Sequence, residues 1–161
     1  MLTPYHDTIT LIERLHRQFL EVLKVELERS GLHDINNVQS MILYNVGDDE
    51  MTVGELTARG YYLGSNVSYN VKKMVENEYL VQERSIHDKR SIRVRLSDKG
   101  RSLYKSLSAL YEKHIENLDK TDLSAGRLSE LNKSLQELET FWESQMGLGG
   151  LTADPAKAAN E

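Results

Sequence analysis

The sequence predicts a mainly α-helical fold with one small β-hairpin wing. Its core is a winged helix-turn-helix, flanked by N- and C-terminal dimerisation helices. Three observations carry that reading. Apolar residues recur at three- and four-residue steps over most of the 161 residues, and alternate strictly only around residues 92–96. Within residues 52–100, two short helical patterns are followed by two extended runs around a basic turn. Charge marks the same stretch. The whole chain has a net charge of −5, but residues 59–105 hold 11 Lys and Arg against 5 Asp and Glu. The flanks are acidic: 4 against 10 in residues 1–58, and 5 against 10 in residues 106–161.

Composition narrows the function classes. Hydrophobic residues make up 39% and charged residues 28%, the balance of a soluble helix-rich domain. No apolar run approaches the roughly 18 residues of a membrane span, and the N-terminus lacks a basic region followed by an apolar signal core. A cytoplasmic protein with no membrane partner is expected. The absence of cysteine removes disulfides, thiolate catalysis, thiolate metal ligands and thiol-based oxidant sensing together. His6, His16, His33, His87 and His114 form no HxxxH or HExxH spacing, and Gly147, Gly149 and Gly150 precede no helix that could cradle phosphate. No catalytic residue, metal or cofactor is expected.

The elements follow in order. Residues 6–30 form an amphipathic helix through Ile12, Leu15, Phe19, Val22, Leu23 and Leu27, with Leu11 and Leu20 widening the stripe. Gly31 stops it. Residues 37–46 form a second helix, with Val38, Met41, Ile42 and Val46 inward and Gly47-Asp48-Asp49 ending it. Thr52 and Glu55 make a capping box for a short helix that lasts to Arg59. Gly64 or Ser65 then caps the next, which turns Val67, Val71, Met74 and Val75 to one face. Its other face shows Ser65, Asn66, Ser68, Tyr69, Lys72 and Lys73. Residues 80–84 and 92–96 make a hairpin with its tip at 86–91. A long helix begins at Asp98, the last runs over 124–146 through Leu128, Leu131, Leu135, Leu138 and Trp142, and the tail 147–161 reads as disordered.

Helix, tight turn, helix and basic-tipped hairpin is the order of a winged helix-turn-helix. The major groove of B-DNA admits one helix, whose polar face meets base edges while Lys72 and Lys73 meet phosphate. Lys89 and Arg90 at the tip can reach the neighbouring minor groove. The plainer readings are a solvated surface for Lys72, Lys73, Arg93 and Arg95, and packing on the hairpin for Tyr69. Asp88 is expected to pair with Arg90 and shape the turn.

At Asp88-Lys89-Arg90, followed by Val94-Arg95-Leu96-Ser97-Asp98-Lys99-Gly100, the chain resembles the MarR family of bacterial transcriptional regulators. Asn66-Val67-Ser68 stands where that family begins its recognition helix, and the outer helices fit its plan over about residues 5–146. The resemblance implies that Arg90 enters the minor groove, that residues 65–73 read the major groove, and that the outer helices form a homodimer. Two departures stand out. The family usually has Gly before the first wing strand, where this chain has Asn77-Glu78, leaving Asn77 to supply the left-handed residue. Tyr69 stands where a basic residue is common. The wording DINNVQSMILYNVGD and GYYLGSNVSYN also resembles a smaller group, the LdtR-type regulators of L,D-transpeptidase genes.

These readings divide the chain into a dimerisation helix (1–35), a DNA-binding module (36–100), C-terminal dimerisation helices (101–146) and a tail (147–161). The terminal stripes are too apolar for the small module to cover. They favour either a dimer on a palindromic double-stranded DNA operator or an internal helical bundle. The resemblance also implies a small aromatic or anionic effector, for which His16, Phe19, Tyr44, Tyr62 and Tyr104 are candidates by aromatic or titratable character; ordinary packing is the plainer reading of each. The alternative function is a winged-helix module whose basic face docks an acidic protein.

Overall fold

Helix α1, Leu2–Arg29, begins ahead of its apolar stripe, because Pro4 falls in the first turn, where a missing amide costs nothing. It ends where the sequence places the stop. Gly31 has φ +69°, the Leu32 amide donates to the Leu27 carbonyl at 2.9 Å, and the Gly31 amide donates to the Glu28 carbonyl at 3.0 Å. That pair of bonds satisfies carbonyls the helix end would otherwise leave open. The computed structural model describes residues 2–60, 64–88 and 90–147, with the backbone alone at 64 and 65. The predicted tail beyond Gly147 lies outside the described residues, as does Lys89.

Helix α2, Asn37–Val46, starts from a reciprocal cap. The Gln39 amide donates to Asn36 Oδ1 at 2.8 Å, and the Asn36 amide donates to Gln39 Oε1 at 3.1 Å. Its inward face differs from the expected one. Val38 is 37% exposed, whereas Leu43, Gln39 and Ser40 are buried. Polar groups can face inward here because each is bonded: Ser40 donates to the Asn37 carbonyl at 2.7 Å, and Gln39 also donates to Asn70 at 3.2 Å.

Strand β1, Met51–Thr52, is an element the periodicity did not reveal, since two residues carry no period. It pairs antiparallel with β3, Ile92–Leu96, through Met51↔Val94 and Thr52↔Arg93. Strand β2, Leu80–Arg84, lies on the other side of β3 in register from Leu80↔Leu96 to Arg84↔Ile92, so the wing is a three-stranded sheet of order β1-β3-β2. Helix α3, Val53–Gly60, opens on the expected capping box, with the Thr52 amide 2.7 Å from Glu55 Oε2 and the Glu55 amide 3.1 Å from Thr52 Oγ1. Helix α4, Gly64–Glu76, turns Val67, Val71 and Met74 into the core.

The chain divides into two compact units, Met1–Ala109 and Leu110–Glu161. The core of the first gathers Leu23 and Leu27 of α1, Ile42, Leu43 and Val46 of α2, Leu56 of α3, the α4 residues, and Val94 and Leu96 of the sheet. Leu103 and Leu107 of α5, Asp98–Leu118, complete it. In the second unit α6, Ala125–Gln145, is capped by Ser124, whose hydroxyl accepts the Arg127 amide, and buries no residue. Ile115, Leu118, Leu123 and Leu128 line an apolar cleft of about 340 Å3 there.

The turn from α4 into β2 corrects one expectation. Asn77 directly follows the last helical residue without a positive φ, its amide donating to the Lys73 carbonyl at 3.0 Å, and the left-handed residue is Glu78, at φ +64°. The Tyr79 amide then donates to the Met74 carbonyl at 2.8 Å, closing the same kind of helix end as at Gly31. Asn77 instead ties the turn to the connection between α1 and α2, its side chain donating to the Asp34 carbonyl at 2.7 Å.

Ser97 joins this turn to α5. Its hydroxyl donates to the carbonyls of Glu78 and Tyr79, at 2.5 and 3.0 Å, and accepts the Gly100 amide at 3.0 Å. Gly100 must lack a side chain, because a Cβ there would stand 2.1 Å from the Tyr79 carbonyl oxygen. Gly100→Ala is therefore expected to destabilise the protein by about 3 kcal/mol or more in urea unfolding; a loss under about 1 kcal/mol would show that α5 can shift away from the wing at little cost.

Candidate nucleic-acid interface

The surface face of α4 is set by its buried one. With Val67, Val71 and Met74 inward, Asn66, Ser68, Tyr69 and Lys72 stand exposed. Tyr69 is 61% exposed rather than packed on the hairpin, with Lys73 Nζ 6.0 Å from its ring centre. Asn70, between the two faces, is fixed by its donation to the Asn66 carbonyl at 2.8 Å and its bond from Gln39. The Ser65 side chain lies outside the described residues.

The wing tip is shaped by short polar side chains. The Asp88 carboxylate accepts the Arg90 amide at 3.0 Å, and the Asp88 carbonyl accepts the Ser91 amide at 2.9 Å. Asp88 thus shapes the turn as expected, but through the backbone of Arg90; no guanidinium pairing between them occurs among the described residues. Between α4, the start of α3 and the wing lies a cleft of about 540 Å3, lined by Ser68 and Lys72 of α4, Thr52 and Gly54, Gln82, and Asp88 and Arg90 at the tip. Gln82 was not singled out from the sequence, because alternation from buried Leu80 puts it on the inward face, yet it is exposed toward the cleft.

The cations of the module divide into two sets. Arg59 pairs with Asp49 at 2.9 Å, Arg93 with Glu50 at 3.6 Å, Arg95 with Glu83 at 3.4 Å, and Arg101 with Asp48 at 3.1 Å. Lys73 pairs with Glu76 at 3.0 Å, and that bond raises its pKa and lowers that of Glu76. Lys72, Arg84 and Arg90 have no carboxylate partner within 4 Å among the described residues, and all three are exposed. The charge excess visible in the sequence is largely internal pairing. Of the unpaired cations, Lys72 and Arg90 line the cleft, and Arg84 ends the strand that carries Gln82.

Of the five effector candidates, two meet: the rings of Tyr44 and Tyr104 stack with centres 5.0 Å apart. His16 is exposed on α1, Phe19 is half-buried, and Tyr62 lies outside the described residues. None of the described candidates lines either cleft. Among the described residues no group of three His, Asp or Glu could hold a metal ion, and no helix is long and apolar enough to cross a membrane.

Behind α4 a polar knot fixes its C-terminal end. Asp34 accepts the Tyr79 hydroxyl at 2.6 Å and Lys99 Nζ at 2.6 Å, while Lys99 also donates to the Asn77 carbonyl at 2.9 Å and lies 4.2 Å from the Tyr79 ring centre. The Lys99 bond, followed by the Tyr79 bond, holds the Asp34 carboxyl below its ordinary pKa. Burial, and then the neighbouring carboxylate, pushes the Tyr79 phenol up.

A three-stranded wing beside an exposed helix, set on an α-helical core, defines a winged helix-turn-helix of the DNA-binding regulators. The sequence profile of the MarR family matches residues 33–91. The exopolysaccharide II synthesis transcriptional activator ExpG of Rhizobium meliloti (strain 1021) is 37% identical over 141 residues, covering 88% of this chain and 73% of that protein. The chain belongs to the MarR family, whose members are DNA-binding regulators and not enzymes. Solved structures share the fold at low identity. The crystal structure of FabT from Streptococcus pneumoniae in complex with DNA matches with a TM-score of 0.71 and 18% identity, over 88% of this chain and 99% of that one. The Staphylococcus aureus MarR structure in complex with salicylate and kanamycin matches with a TM-score of 0.68 and 20% identity, over 87% and 93%.

The depressed Asp34 carboxyl gives a signed pH dependence. A group whose pKa is lower folded than unfolded stabilises the fold above its unfolded value, and that stabilisation is lost as pH falls through the folded value. Asp34→Asn should therefore lower the melting temperature at pH 7, with the gap closing below about pH 4. A gap that persists unchanged at acid pH would mean that Asp34 acts through packing and not through charge.

Proposed function

We propose that the protein is a homodimeric, sequence-specific transcriptional regulator that sets α4 into the major groove and the wing tip into the minor groove of a palindromic operator. The observation that carries this reading is the placement of the unpaired cations Lys72 and Arg90 in a cleft edged by the polar face of α4. Ser65, Asn66, Ser68 and Tyr69 would meet base edges, with Lys72 and Lys73 at phosphate and Lys89 and Arg90 at the minor groove. Family membership and the FabT–DNA complex of the same fold support it.

Two copies are needed for a palindrome, and the outer helices supply a reason to pair. Leu11, Leu15, Val22 and Val25 of α1 are exposed, as are Leu131, Leu135 and Phe141 of α6. Covering each such side chain is worth about 1.5–3 kcal/mol at full burial. Two recognition helices would then lie about 34–36 Å apart, one turn of DNA. The domain division into dimerisation helices and a central module follows from that pairing.

Binding to DNA from the protein's own upstream region should exceed binding to random DNA and fall steeply with salt, as phosphate contacts release counterions. Arg90→Ala should weaken it, lower the salt slope by about one, and leave the dimer intact. Equal affinity for random DNA would overturn sequence-specific reading. No retardation at low salt would instead favour a module that docks an acidic protein.

An aromatic acid is the effector class this reading takes, supported by the salicylate complex of the S. aureus protein of the same fold. Salicylate should raise the melting temperature and release DNA. An unchanged melt across a panel of aromatic acids and phenols would remove the effector from the mechanism.

A further inference from the structure

We infer that Ile86 is an apolar minor-groove contact, packing against deoxyribose walls beside the place taken by Arg90. This rests on the DNA-binding reading above and adds a residue that no charge argument would select. Ile86 is 93% exposed, more than any other large hydrophobic side chain among the described residues. Turn chemistry does not call for it: tight turns favour Gly, Asn, Asp and Ser, while a β-branched side chain suits a strand. At that exposure the fold does not call for it either.

The mount is stiff. The Ser85 amide donates to the Ser91 carbonyl at 3.0 Å, closing the neck of the turn. The Ser85 hydroxyl accepts the amides of His87 and Asp88 at 3.3 and 3.4 Å, and the Asp88 carboxylate and carbonyl hold the far side. Ile86 therefore projects from a root fixed on both flanks.

Its neighbours select the partner. Arg84 and Arg90 carry charges with no carboxylate partner among the described residues, and the Asp88 carboxylate bonds to a backbone amide. The minor groove pairs a deep negative potential with apolar sugar walls, and apolar wedges enter it from proteins whose cations are held there. An isoleucine set between two arginines matches both features at once.

The test uses DNA retained by the wild-type protein from a random pool, with dissociation constants measured across a sodium chloride series. Ile86→Ser should bind about tenfold more weakly with the wild-type salt slope, because every phosphate contact is kept. Ile86→Leu should recover most of the affinity, and Arg90→Ala should lose affinity and slope together. Melting temperatures should stay at the wild-type value for all three, separating contact from folding. Wild-type affinity in Ile86→Ser, or a loss in Ile86→Leu as large as in the serine variant, would overturn the inference and leave the DNA-binding reading standing. A wild-type protein that retains no DNA from the pool would remove both.

Discussion

The carbonyl oxygen of Tyr79 is the point at which α4, the wing and the long helix α5 are fixed to one another. It accepts the amide and the hydroxyl of Ser97, and it occupies the space that any side chain at position 100 would need. The left-handed Glu78 exists to bring that carbonyl there, directly after α4 ends. Glycine would adopt this conformation with less strain. The chain tolerates glutamate because the bonds at Ser97, Asn77 and Tyr79 over-determine the turn. The junction fixes the C-terminal end of α4, while Val67, Val71 and Met74 in the core and the Gln39–Asn70 bond hold the rest of the helix.

Electrostatics then sorts what the junction positions. The basic module is not a uniformly charged coat. Four arginines are tied to acidic residues, three of them to the 48–50 segment just ahead of β1. Such exposed pairs contribute little stability one at a time. Their larger effect is to neutralise most of the module's arginines and leave Lys72, Arg84 and Arg90 as its unpaired cations among the described residues up to position 100. A partner therefore meets a narrow basic rim rather than a basic face.

Local signals were legible in the sequence, and long-range ones were not. The Thr52–Glu55 capping box, the Gly31 stop and the limits of α2 and α6 are written in residues at most a few positions apart. The wing signature that carries the family resemblance also reads locally, and its terminal glycine proved to be a packing requirement at the Tyr79 carbonyl. Strand β1 was missed because two residues have no period, and Val38 was misplaced because bonded Gln39 and Ser40 turned inward in its stead. Which cations were unpaired could not be read at all. Arg93 and Arg101 look as free in the sequence as Arg90, and their partners come from 43 and 53 residues away.

Asp34 also bears on how the chain reaches this state. It stands in the connection between α1 and α2, and its three partners, Asn77, Tyr79 and Lys99, lie 43, 45 and 65 residues further along. Closing loops of that length costs entropy before any contact repays it, so these bonds belong to a late and collective step of folding. The helix and hairpin of the wing can form early from neighbours in sequence, but neither gains its final orientation until the N-terminal segment docks. The surface that α4 and the wing form is thus a property of the first hundred residues together, and a fragment containing only α3, α4 and the hairpin would carry the same side chains without the geometry.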